Sequence, residues 1–222
     1  MEPGHAPQGY RWERGYLWPA DDTECAAVVF DTFNTDGLLA VQACRRKRVV
    51  VQAGGNCGVW AVKFAAHFQR VLTFEPDPKN YTALLYNIRD YPDITAFPMA
   101  LASRSRQKVS MSRIEGNCGA HSMYFDSAEG LPTITIDDMA MPGDEDVDLI
   151  YLDIEGAEML ALRGAEDTIR RARPVIAFED KGLSERFGYS QGDIEKWLAS
   201  EFGYAVKHRI NRDVIMVPSE DR

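Results

Sequence analysis

Val49-Val50-Val51-Gln52-Ala53-Gly54-Gly55-Asn56-Cys57-Gly58-Val59-Trp60 is a continuous apolar run, then a turn rich in glycine, then the start of a helical pattern. The apolar run predicts a strand buried on both faces, and the glycines predict a sharp strand-to-helix turn. A nucleotide-like ligand can approach such a turn closely because glycine has no side chain. A tight connection without a ligand would look the same, so the next strand decides. It covers 71–75 and ends on Glu75, 23 residues after Gln52. In doubly wound folds an acid at the tip of the second strand accepts hydrogen bonds from both ribose hydroxyls, at a spacing of roughly 20 residues. Asp77, followed by Pro78, already supplies the cap of the next helix, which leaves Glu75 available to a ligand.

Working outward, short apolar runs at 48–52, 71–75, 94–97, 148–153 and 175–179 alternate with helical patterns at 59–68, 78–89 and 158–171. That alternation predicts a mostly parallel sheet with helices on both faces. A further helix is expected over 35–44, with Thr35 as its cap. Residues 108–113 and 132–137 alternate with period two and read as extended segments inserted between the halves of the sheet. A helix at 191–201 precedes 204–210 and 214–217, which read as a hairpin across Asn211-Arg212-Asp213. The predicted class is α/β, with a mostly parallel seven-stranded sheet and a C-terminal antiparallel hairpin, an arrangement that resembles the Rossmann-like methyltransferase fold.

The 222 residues are 45% hydrophobic, enough for one core, so 1–222 is expected to be a single domain and intrinsic disorder is excluded as the overall class. The core with the cofactor site is expected over 48–179 and the hairpin over 204–217. A net charge of −9 argues against a protein that holds nucleic acid through phosphate contacts. The basic run Arg45-Arg46-Lys47-Arg48 reads as the flank of a helix C-terminus. Residues 1–22 carry Tyr10, Trp12, Tyr16 and Trp18, too aromatic for a free tail; this leader is expected to pack on the body and is a candidate lid. Cys25, Cys44, Cys57 and Cys118 lie far apart in sequence without a Cys-x-x-Cys pair, which argues against a zinc site or redox dithiol. No metal is expected. With no apolar stretch of bilayer length and a polar N-terminus, a cytoplasmic chain without membrane contact is expected. The oligomeric state stays open.

Two adenosine cofactors suit this geometry, NAD and S-adenosylmethionine. The dinucleotide fingerprint is met only as Ala53-x-Gly55-x-x-Gly58, and none of the nine tyrosines has a lysine four residues on, as a short-chain dehydrogenase requires. Gly54-Gly55-Asn56-Cys57-Gly58 resembles the Gly-x-Asn-x-Gly loop of FkbM-type S-adenosylmethionine-dependent methyltransferases. Phe74-Glu75-Pro76-Asp77-Pro78 with Asn80 and Asn87, Thr135-Ile136-Asp137-Asp138-Met139, 152–158 with Leu162 and Gly164-Ala165, and Pro174-Val175-Ile176-Ala177-Phe178-Glu179 resemble the same family, in order. The family usually opens the glycine loop with an acid where this chain has Gln52, and an uncharged residue there is expected to lower cofactor affinity.

The resemblance implies S-adenosylmethionine as cofactor. Gln52, Ala53, Gly54, Gly55, Asn56 and Gly58 would hold its methionine part, Glu75 and Pro76 the ribose, and Ala100 and Leu101 the adenine. Asp153, at the tip of the fourth strand beside Glu155 and Glu158, belongs to the same crevice and would face the acceptor. Glu158 is better explained as a first-turn acid favoured by the helix dipole. His121, in a small-residue segment read as a loop, is the best placed of the four histidines to take a hydroxyl proton. The implied activity is O-methylation of a sugar, glycan or small-metabolite hydroxyl. The alternatives are a non-catalytic nucleotide-binding or interaction module on the same fold, or an NAD-dependent oxidoreductase.

Overall fold

The structure, a computed structural model, describes residues 4–125, 130–139 and 146–221. The chain enters through a hairpin, β1 (Tyr10–Glu13) and β2 (Tyr16–Pro19), followed by α1 (Cys25–Thr32), a wide turn of π character at Phe33–Gly37 and α2 (Leu38–Ala43). Strand-helix units follow: β3 (Val49–Ala53), α3 (Val59–Ala65), β4 (Arg70–Phe74), α4 (Pro78–Ile88) and β5 (Ile94–Phe97). Then come β6 (Ala100–Leu101), β7 (Lys108–Ile114), β8 (Asn117–Tyr124) and β9 (Leu131–Ile134). The chain closes with β10 (Val147–Leu152), α5 (Glu158–Arg163), α6 (Glu166–Ala172), β11 (Val175–Glu179), α7 (Asp193–Phe202), β12 (Tyr204–Ile210) and β13 (Asp213–Pro218).

Seven strands form the main sheet in the order β12-β13-β11-β10-β3-β4-β5. β11, β10, β3, β4 and β5 run parallel, and β13 lies antiparallel to both β11 and β12. The strand pleat explains the continuous apolar runs. Val49, Val51 and Ala53 turn to a core shared with α5, α6 and α7, while Val50 turns to the core under α2, α3 and α4. The reversal of strand order between β3 and β10 puts a ligand crevice at their C-terminal ends. β6, β9, β7 and β8 make a separate four-stranded sheet that walls this crevice.

Several expectations change in the structure. The helix expected over 158–171 is two helices, because at Gly164 a Cβ would stand 2.2 Å from the Ala102 carbonyl oxygen and Asp137 caps a fresh start through the Asp167 and Thr168 N–H groups. Thr35 is no cap: it lies inside the π-type turn that joins α1 to α2, and its hydroxyl donates to the Thr32 carbonyl. His121 lies in β8 rather than in a loop. β8 pairs with β7, and its glycine and small polar residues mask the strand periodicity. The extended segment expected over 132–137 forms a strand only through Ile134.

The described part of the leader folds as the β1–β2 hairpin on α4. Trp18 is fully buried, Asn87 on α4 exchanges hydrogen bonds with both the N–H and the carbonyl of Leu17, and Trp12 packs on Tyr86. Asn87 also donates to the Cys57 carbonyl at 2.8 Å, so one side chain ties the hairpin to the glycine loop.

Candidate active site

The glycine loop is shaped by backbone demands that only glycine meets. Gly54 has φ +85°, and a Cβ there would stand 2.0 Å from the Asp153 carbonyl oxygen. At Gly55 a Cβ would press on Thr73 Oγ1 and the Leu84 side chain at 2.8 Å. The Gly54 and Gly55 N–H groups both donate to the Phe74 carbonyl, which locks the loop over β4. Gln52 is buried beneath it. Its Nε2 donates to the Gly54 carbonyl at 2.8 Å, and its Oε1 accepts from the Thr73 hydroxyl. Gln52 therefore holds the loop through a donor that an acid could not supply.

Glu75 sits at the end of β4, 6% exposed. Its Oε2 accepts the Asn56 N–H at 2.7 Å and its Oε1 accepts the Asp77 N–H at 2.8 Å. Burial pushes its pKa up to about 7, against the lowering effect of those two N–H groups. Each oxygen keeps acceptor capacity beyond its backbone partner, and the carboxylate faces a cavity of about 360 Å³. Asp77 caps α4 through the Lys79 and Asn80 N–H groups. Burial alone would raise its pKa, but the approach of His121, the Asn80 N–H and Arg113 outweigh this and hold it well below the ordinary carboxylate range. Arg113 Nε reaches Asp77 Oδ2 at 2.6 Å, and His121 Nδ1 lies 3.6 Å from the same oxygen without a hydrogen-bond partner.

Asp153, Glu155 and Tyr151 also line the cavity. Burial and the nearby Glu179 push the Asp153 pKa up, while Lys181 works in the opposite direction. Lys181 bridges Glu155 at 2.8 Å and Glu179 at 2.6 Å. Burial would lower its pKa, but Asp153, Glu155 and Glu179 together hold it as an ammonium. The Asp153, Glu155 and Glu179 carboxylates lie within 4.8 Å of one another, a spacing a metal could use, but the Lys181 ammonium already neutralises part of their charge. Glu155 has φ +53°, an unusual conformation for a side-chain residue and a feature of strained functional turns. Glu158 is buried, and its Oε1 accepts the Ile154 and Gly156 N–H groups, so it fixes this turn instead of facing the cavity.

Gln52, Ala53, Gly54, Asn56, Glu75, Pro76, Ala100, Leu101, His121 and Asp153 all line the one cavity. Gly55 and Gly58 do not: Gly55 is a packing spacer, and Gly58, at φ +86°, starts α3. His121 has Asp77 and the Glu75 carboxylate as charged neighbours, whereas Asp153 has Glu179 and Lys181. None of Tyr10, Trp12, Tyr16 or Trp18 lines the cavity. The wall in that region is made by Glu24 and, from α1, Cys25, Val28, Val29 and Thr32. Sequence reasoning missed these, along with Met99, Met111, Met123 and Asn80. Asn80 had a signal: it is a polar residue three positions into a capped helix next to the acid. Its Nδ2 donates to the Cys118 carbonyl and its buried Oδ1 has no partner.

A parallel sheet closed by an antiparallel hairpin, with a glycine loop and a strand-tip carboxylate on one crevice, defines a Rossmann-like methyltransferase fold. The chain matches the methyltransferase FkbM domain over residues 52–206 and belongs to that family. Among solved structures, an FkbM methyltransferase from Methylobacillus flagellatus is similar at 20% identity and TM-score 0.48, over 77% of this chain and 43% of that one. This chain thus spans less than half the length of that protein. A ribosomal protein L11 methylase from Lactobacillus delbrueckii subsp. bulgaricus is similar at 16% identity and TM-score 0.50, covering 84% of this chain and 78% of that one. A methyltransferase from Streptococcus mutans, solved with S-adenosylhomocysteine, is similar at 9% identity and TM-score 0.51, covering 83% and 96%. No curated protein matches the chain. No helix among the described residues is long and apolar enough to cross a membrane.

Proposed function

We propose that this chain is an S-adenosylmethionine-dependent methyltransferase acting on a hydroxyl of a sugar or other small metabolite, and that it works in the cytoplasm, where its four free cysteines stay reduced. The carrying observation is the Glu75 carboxylate, its two oxygens anchored by the Asn56 and Asp77 N–H groups and turned to a cavity with the Gly54 cradle on its wall. The fit rests on space and donors. A cavity of about 360 Å³ is within the usual range for small-molecule sites, and Gly54, which lines it, lets the loop pack against the tip of β10, where a Cβ would strike the Asp153 carbonyl oxygen.

In this reading Glu75 and Pro76 hold the ribose, Ala100 and Leu101 flank the adenine, and Gln52, Ala53, Gly54 and Asn56 hold the methionine part, with Gly55 and Gly58 setting the loop's shape. Asn80 Oδ1 offers one further acceptor. The cofactor supplies the methyl group as an electrophile. Asp153 stands by its positive charge or by the acceptor. Asp77 favours a proton on His121 Nδ1, which leaves Nε2 as the atom that takes the acceptor's proton. The residues mostly orient two partners, and alignment can contribute on the order of 7 to 11 kcal/mol, against roughly 10² to 10⁴-fold for a general base.

The test is to incubate the protein with methyl-labelled S-adenosylmethionine and a panel of nucleotide sugars, oligosaccharides and small alcohols. Label appearing in a hydroxylated acceptor, with His121→Ala lowering turnover while S-adenosylhomocysteine still binds, supports the reading. Cofactor binding without transfer to any acceptor favours a non-catalytic module on the same fold.

A further inference from the structure

Three acids from two neighbouring strand ends meet beside the cavity. β10 and β11 run parallel with Leu152 opposite Phe178, so the residues that follow, Asp153 and Glu179, stand next to each other. Glu155 joins them through its left-handed backbone at φ +53°. The three carboxylates have oxygens within 4.8 Å of one another. Glu179 also lies opposite Asp213 in the β11–β13 pairing, and like charges placed so are unfavourable unless a cation answers them.

Lys181 answers them. Its Nζ lies 2.8 Å from Glu155 Oε1 and 2.6 Å from Glu179 Oε2, with 24% of its side chain exposed. The backbone that carries it is pinned on both sides. Asp180, itself buried, accepts the Gly182 N–H at 3.3 Å and the Gly192 N–H at 2.8 Å, and its own N–H donates to the Arg212 carbonyl at 2.9 Å. An ammonium carries three donors. Glu155 and Glu179 take two, which leaves one for a further acceptor in the cluster.

We propose that Lys181 is a positioning residue whose tethered ammonium takes the place a divalent metal ion would occupy among Asp153, Glu155 and Glu179. Three carboxylates suit hard ions such as Mn(II), Mg(II) or Ca(II), which bind oxygens at about 2.0 to 2.6 Å. The ammonium already stands at hydrogen-bonding distance from two of the three groups, so an ion must expel it to bind. Attachment to the chain gives this cation a high effective concentration that a dissolved ion lacks. By drawing Glu155 and Glu179 together, Lys181 sets the place of the Asp153 carboxylate, which groups with both and lines the cavity. That effect on turnover rests on the methyl-transfer reading, whereas the exclusion of metal does not.

The test is a Mn(II) titration of the full chain, with free Mn(II) read by electron paramagnetic resonance. Lys181→Met keeps the side chain's reach and removes its charge. It is expected to bind one equivalent of Mn(II) at least about tenfold more tightly than the parent, the scale of removing one positive charge beside the ion. Lys181→Arg should bind no better than the parent, and adding Glu179→Gln to Lys181→Met should abolish the gain. The unmodified protein supplies a measurement that needs no variant: excess Mn(II) should leave the rate at which acetic anhydride acetylates Lys181, mapped by peptide mass, unchanged. No tighter binding in Lys181→Met, a gain that survives Glu179→Gln, or Mn(II)-accelerated acetylation of Lys181 would each overturn the proposal. With a working acceptor, Lys181→Met should lower turnover and Lys181→Arg should retain most of it; parent turnover in Lys181→Met would overturn the positioning role. Absence of methyl transfer in the parent would count against the methyl-transfer reading alone, and the Mn(II) result would still decide this inference.

Discussion

Gly54→Ala separates conformational strain from the demands of the site. Gly54 has φ +85° and its added Cβ would meet the Asp153 carbonyl oxygen at 2.0 Å, whereas Gly203 has φ +65° with nothing within 4 Å of its added Cβ. Both substitutions incur the left-handed cost of a side-chain residue, about 1 to 2 kcal/mol. Only Gly54→Ala must also push the tip of β10 away from β3, straining the hydrogen bond from the Asp153 N–H to the Ala53 carbonyl at 3.1 Å. Losing that bond adds about 0.5 to 1.5 kcal/mol, for a total of roughly 1.5 to 3.5 kcal/mol. Urea unfolding should therefore place Gly54→Ala below Gly203→Ala in stability. Calorimetric titration with S-adenosylhomocysteine should show Gly54→Ala at least about tenfold weaker, some 1.4 kcal/mol, and Gly203→Ala at the parent affinity. Equal stability and equal affinity for the two variants would refute the reasoning that the close approach of Gly54 to Asp153 builds the cradle.

Glu75→Gln is expected to lose roughly 1.5 to 3 kcal/mol of S-adenosylhomocysteine affinity, the scale of hydrogen bonds to a charged acceptor; titration calorimetry checks it. With the Glu75 pKa pushed up to about 7, parent affinity should fall as pH drops through that value and the acceptor becomes protonated, and the variant should lack this inflection. Glu158 has a folded pKa pushed up to about 7 from an ordinary 4.5 by burial. Between these values the folded state binds more protons than the unfolded, so its contribution weakens stability as pH rises through the window, by on the order of 3 kcal/mol at most. Urea midpoints across this range should show Glu158→Gln flattening that slope while keeping an acceptor for the Ile154 and Gly156 N–H groups. Gln52→Glu, which removes the donor to the Gly54 carbonyl, should cost about 1 to 3 kcal/mol of stability; equal melting of variant and parent would sink that role.

Much of the fold was legible because both faces of the central strands are buried, and an unbroken apolar run such as Val49-Val50-Val51 has few other readings. Asp77-Pro78 marked the start of α4 correctly, because an N-cap acceptor followed by proline is a local rule. Legibility failed where tertiary contacts override local pattern. Gly164 breaks one helix into two through its approach to Ala102, far away in sequence. His121 was read into a loop because the strand around it contains Gly119 and small polar residues. Of the cavity wall, the residues next to the glycine loop and the strand tips were readable from spacing. The approach of His121 to Asp77 and the meeting of Cys25 with Cys118 depend on how β7 and β8 fold back over the crevice, and no short-range signal encodes that. Gln52, which looked like a weakened acid by resemblance, is a buried donor whose partner is only two residues away.

The most direct measurement is a crystal structure of the chain with S-adenosylhomocysteine. The account predicts the ribose hydroxyls on Glu75, the methionine part against Gly54 and Asn56, and the nucleoside base beside Ala100 and Leu101. A complex in which the nucleoside sits elsewhere, with Glu75 touching only the Asn56 and Asp77 N–H groups, would contradict it.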